Sequence, residues 1–180
     1  DDKKYQRIFS FPSKLDKLLD SLGCMEPYIR PAYALNDSII CLSISGYNFI
    51  YQIDFSGIIL DSISIYSSDF RLPQPPKSRI RSRAVWEMWL SGWTPIKSFK
   101  FVPPGYFILQ YLTGWEELEA DTIPLYSTLM WNTDRQPVEI EVDKHWQIAG
   151  VQPDGRIIFA HYLIESDKRE IVLNVTRIVP

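Results

Sequence analysis

The sequence predicts a mainly β fold built from antiparallel meanders, and three observations carry that expectation. Aromatic residues are abundant, with 6 Trp, 10 Tyr and 9 Phe in 180 residues, and such side chains suit the half-buried, pleated surface of a strand. Thirteen prolines against 8 glycines break the chain often and keep every element short. From Ile29 onward, short apolar runs alternate with compact turn sequences, which is the pattern of strands joined by hairpins.

The elements follow in order. Tyr5 to Phe11 alternates loosely up to Pro12 and reads as a short strand. Leu15, Leu18, Leu19 and Leu22 fall at helical spacing between a capping Ser13 and a terminating Gly23, so 13–23 reads as one short N-terminal helix. Residues 1–28 are therefore set apart as an N-terminal strand and helix, with 29–180 as the β domain. Within that domain, strands are expected over 29–35, 38–44, 47–54 and 58–65, joined by Asn36-Asp37, Ser45-Gly46 and Ser56-Gly57. Connections this tight leave no room for a crossover, so sequential strands pair antiparallel.

Residues 67–95 form an insertion rich in Arg and Trp. Arg71-Leu72-Pro73-Gln74-Pro75-Pro76 reads as a proline-broken loop, and 84–90 as a short helix. Strands resume over 96–102 and 106–112, around the turn Pro103-Pro104-Gly105. A polar loop is expected over 113–122, then strands over 125–132 and 138–142. The last strands are expected over 146–152, 156–164 and 169–178, with a turn at Pro153-Asp154-Gly155.

Composition bounds the function. The formal net charge of −3 gives no whole-molecule reason to expect nucleic acid or an anionic membrane as partner. No run approaches the roughly 18 apolar residues that a membrane span needs. Cys24 and Cys41 either bond to each other or stay as small buried apolar residues, and they match no metal-ligand spacing. The chain opens on Asp1-Asp2-Lys3-Lys4, which predicts a trimmed or processed amino terminus. The triplets Asn36-Asp37-Ser38 and Asn174-Val175-Thr176 have the form of glycosylation acceptors.

Three segments share one grammar of strand, tight turn and a more apolar strand. They are Ala34 to Ile40, Phe101 to Ile108 and Val151 to Ile158, at unequal intervals. The hairpin Tyr51 to Leu60 adds Asp54, a spacer and Gly57 between two strands. On these residues the chain, from Ile29 to its carboxyl end, resembles the six-bladed β-propellers of the NHL and TolB-like kind, including those of secreted bacterial proteins. The resemblance implies propeller-like blades, a binding role and a place outside the cytoplasm. Only three such units are countable, whereas a six-bladed ring needs twice as many. The resemblance therefore implies a portion of a longer protein, or halves that self-associate. A calycin-like barrel and a β-sandwich are the alternative antiparallel architectures.

Catalytic signatures are absent from the sequence: no Gly-x-Ser-x-Gly elbow, no phosphate-binding glycine loop and no cofactor motif. The two histidines, His145 and His161, sit at no metal-ligand spacing, and His161 reads as an alternate-face strand residue. Glu116, Glu117, Glu119 and Asp121 read as a solvated acidic stretch. The most suggestive feature is the run Lys77-Ser78-Arg79-Ile80-Arg81-Ser82-Arg83, followed by Trp86, Trp89 and Trp93. Alternate cations point one way along an extended segment, and adjacent indoles add stacking surface for an acidic ligand or a sugar chain. Arg79, Arg81, Arg83, Trp86, Trp89 and Trp93 are thus the candidate binding residues. The sequence favours a non-enzymatic binding or scaffold module with a protein or carbohydrate partner. The alternatives are a barrel that carries a small hydrophobic ligand, and part of an enzyme whose catalytic residues lie elsewhere.

Overall fold

Eleven strands and no helix form among the residues that the structure, a computed structural model, describes: 31–45, 47–65, 67, 69–72, 92–117, 122–165 and 168–177. The strands divide into three antiparallel sheets. The first holds β1 (Pro31–Leu35), β2 (Ile39–Ile44), β3 (Phe49–Asp54) and β4 (Ile59–Ser64), in sequence order. The second holds β5 (Ile96–Val102), β6 (Tyr106–Glu117), β7 (Thr122–Asn132) and β8 (Val138–Glu139). The third holds β9 (Gln147–Val151), β10 (Ile157–Glu165) and β11 (Lys168–Thr176). The first strands lie side by side, β1 against β5 and β5 against β9. Three sheets do not close a ring.

Side-chain amides and carboxylates set the turns. Asn36 Oδ1 accepts from the amides of Ser38 and Ile39, both at 2.8 Å, between β1 and β2. Asp54 Oδ1 accepts from the Ser56 amide at 2.9 Å and the Ile58 amide at 2.8 Å, between β3 and β4. Asp154 repeats the device by accepting from the Arg156 amide, between β9 and β10. A short acceptor that captures the amides two to four residues on replaces the backbone bonds a tight turn leaves unmade.

The second sheet is the middle layer, and this explains the apolar run Phe107 to Leu112. Its register puts Phe99, Phe107, Leu109, Leu129 and Trp131 on one face and Val102 and Ile108 on the other. The first set packs on Ala34, Cys41, Ile50 and Ile63 of the first sheet, and the second on Ile148, Ile157 and Phe159 of the third. A strand buried on both faces loses polar alternation. Aromatic rings meet in the core between the first and second sheets, where Phe107 stacks on Trp131 at 5.9 Å and Phe99 tilts against it at 5.6 Å. Ser45, buried on the first sheet, accepts the Ile96 amide at 2.9 Å and ties the start of β5 to that layer. The outward face of the third sheet, with Tyr162, Ile171, Leu173 and Val175, is exposed.

Two expected boundaries change. The polar stretch 113–122 is largely strand: β6 runs on to Glu117, and β7 begins at Thr122, with Gly114 opposite Leu125 and Trp115 opposite Pro124. Gly, Thr and Pro are turn residues by composition, yet a register shift at Leu112/Gly114 lets the ladder continue. The strand expected over 138–142 shortens to Val138–Glu139. The strand at Tyr5 to Phe11, the helix over 13–23 and the helix over 84–90 lie outside the described residues. Cys41 is a free, fully buried thiol, and burial pushes its pKa up to about 12. No helix among the described residues is long and apolar enough to cross a membrane.

Candidate functional site

Two places bring polar chemistry together, the base of the 67–95 insertion and the junction between the second and third sheets. At the first, Phe70 packs edge-on against Tyr111 with ring centroids 5.5 Å apart. The Arg71 amide donates to Thr94 Oγ1 at 3.0 Å, and the Thr94 amide returns a bond to the Arg71 carbonyl at 3.0 Å. The Arg71 guanidinium reaches across to the Thr113 carbonyl at 2.6 Å. The insertion therefore leaves and re-enters the fold at one pinned point. Thr94 is fully buried, and Trp93 beside it is 2% exposed. Trp93 is thus a core anchor. Arg79, Arg81, Arg83, Trp86 and Trp89 lie outside the described residues.

The second place grows from Gln110, which is fully buried on the β6 face that meets the third sheet. Its amide nitrogen donates to Thr128 Oγ1 at 3.1 Å and to the Trp146 carbonyl at 2.8 Å. Its oxygen accepts the Ile148 amide at 2.8 Å. One side chain thereby sets the chain at 146–148 against β6, through two buried bonds and one part-buried bond that are costly to lose. Just upstream, Asp143 Oδ1 accepts the His145 amide at 3.0 Å, and the Trp146 amide bonds to the Asp143 carbonyl at 3.0 Å. This turn holds the His145 ring towards β6.

Both ring nitrogens of His145 face carboxylates. Nε2 lies 2.5 Å from Glu116 Oε2, and Nδ1 lies 2.9 Å from Asp143 Oδ1. Carboxylates only accept, so the ring satisfies both contacts at once only in its doubly protonated, imidazolium form. The Glu116 bond first, then Asp143, raises the His145 pKa, against an opposing effect of desolvation. In return His145 holds Glu116 below the usual carboxylate range, and the His145 amide first does the same for Asp143. His161 of β10 completes the group: its Nδ1–H donates to the His145 carbonyl at 3.2 Å, and its ring meets those of His145 and Trp146 at 5.8 and 5.4 Å.

An imidazolium with both nitrogens engaged has no lone pair for a proton or a metal. The arrangement ties the turn before β9 to β6 through one ring and two carboxylates. Among the described residues no group of three or more His, Cys, Asp or Glu is placed to hold a metal ion. Sequence reasoning missed the pairing because Glu116 and His145 are 29 residues apart. The local signal was the Asp143-Lys144-His145 turn. Comparison with protein-family models, curated proteins and solved structures finds no match for this chain.

Proposed function

We propose that the chain is a non-enzymatic binding or scaffold module, a propeller-like array of sheets that presents the 67–95 insertion as its recognition surface. The observation that carries this reading is the pinned base of the insertion, Arg71 bonded to Thr94 just before β5 of the middle sheet. A segment that departs from and returns to one rigid point is how scaffolds present variable contact loops. Arg79, Arg81 and Arg83 with Trp86 and Trp89 supply charge and stacking for an acidic partner, and buried Trp93 is the anchor. Two findings support the propeller-like array. The segments Ala34 to Ile40, Phe101 to Ile108 and Val151 to Ile158 each form the first hairpin of one sheet, and those first strands lie side by side. That is the blade order of a propeller.

Retention on a sulfated-polysaccharide column tests the reading, because a chain of net charge −3 has no general reason to bind one. The wild type is expected to be retained at low salt. Arg79, Arg81 and Arg83 changed together to Ser should elute unretained with an unchanged melt. A wild type in the flow-through, or a triple variant that binds equally, overturns the assignment. A collapse of the melt in the triple variant would show that the arginines hold the fold instead.

A further inference from the structure

We propose that Glu116, His145 and Asp143 form a proton-operated latch between the second and third sheets, closed when the imidazole carries both protons and half-released when it carries one. The latch spans two layers. Glu116 belongs to β6, Asp143 and His145 to the turn before β9, and the His145 carbonyl holds His161 on β10. A neutral imidazole has a single N–H, so one carboxylate would face a lone pair and that contact would become repulsive. The proton lost goes to solvent, which reaches the site because the His145 side chain is 25% exposed.

The surroundings favour the closed state near and below neutral pH. The groups that face His145 are Glu116 from β6, Asp143 and Lys144 from its own turn, and His161 from β10. β7 contributes the Tyr126 phenol through its bond to Gln147, and β11 places Val172 opposite His161. Two carboxylates touch the ring, while Lys144 acts on Glu116. The folded His145 pKa is raised, so the latch contributes fully below the unfolded value of about 6.5 and is lost as pH rises through the folded value. The folded carboxylate pKa values are lowered, so their contribution is fully present above the unfolded values, 4.5 for Glu116 and 3.8 for Asp143, and is lost as pH falls through the lower folded values. The latch is therefore tightest between about 4.5 and about 6.5. Gln110 bonds do not titrate, so release loosens the end at 143–146 and leaves the middle of the junction in place.

Nuclear magnetic resonance on the whole chain tests the latch, with the His145 resonance assigned by its loss in His145→Gln. The wild-type ring is expected to titrate above about 6.5. After correction for intrinsic exchange, the Tyr126 amide, which is bonded to the Lys144 carbonyl at 2.7 Å, should exchange about tenfold faster at pH about 8 than at about 6. In Glu116→Gln the ring midpoint should fall and this extra pH dependence should vanish. A wild-type midpoint at or below about 6.5, or the same exchange profile in Glu116→Gln, overturns the proposal. If that variant does not fold, the wild-type midpoint alone decides.

Discussion

Gly155→Ala is expected to destabilise the fold by about 2–5 kcal/mol, the sum of a left-handed backbone cost and an overpacking cost. Gly155 has a φ of +83° in the turn between β9 and β10. A Cβ there would lie 2.2 Å from the Pro103 carbonyl oxygen, in the turn between β5 and β6. The obstacle is backbone, so no side-chain rotamer can relieve it. The control is Gly105→Ala in that neighbouring turn, where nothing lies within 4 Å of an added Cβ. It should stay within about 1 kcal/mol of wild type. Urea denaturation of both variants checks the pair, and equal midpoints would show that the two turns do not touch as described.

Gln110→Leu should be the other severe change, at about 3–5 kcal/mol, because it strands the buried Ile148 amide and Thr128 hydroxyl and the part-buried Trp146 carbonyl. Leucine preserves most of the volume, so a large loss would come from unpaired polar groups and not from a cavity. Gln110→Glu separates the two halves of the side chain. It keeps an acceptor for Ile148 but sets a carboxylate against the Trp146 carbonyl, so it should be at least as harmful. Denaturation midpoints read these losses, and the slope should stay unchanged if the surface exposed on unfolding is the same. A Gln110→Leu variant as stable as wild type would mean that Ile108, Ile148, Ile157 and Phe159 hold this layer without polar help.

Neither Gly155 nor Gln110 stands out in the sequence. Gly105 and Gly155 look alike in the chain, each closing a proline-containing turn before an apolar strand. Gly155 alone is pressed against another turn, and that contact exists only after the second and third sheets pack. Gln110 looks like a polar interruption in an apolar run, and no local signal says that its partners are Thr128 on β7 and residues 146 and 148 at the start of the third sheet. The same holds for Glu116, which reads as one of several solvated acids until the register of β6 brings it to His145.

What local chemistry determined is the set of strands and turns. Asn36, Asp54 and Asp154 act within a few residues of themselves, and β-branched and aromatic runs extend wherever they can pack on a layer, so hairpins were legible in order and nearly in place. Tertiary structure alone decided which sheet became the middle layer, which polar side chains became buried connectors, and which histidine met two carboxylates. Those outcomes depend on residues far apart in the chain, which meet only when the sheets pack, and for Gln110 the energy also rests on burial that lowers the local dielectric.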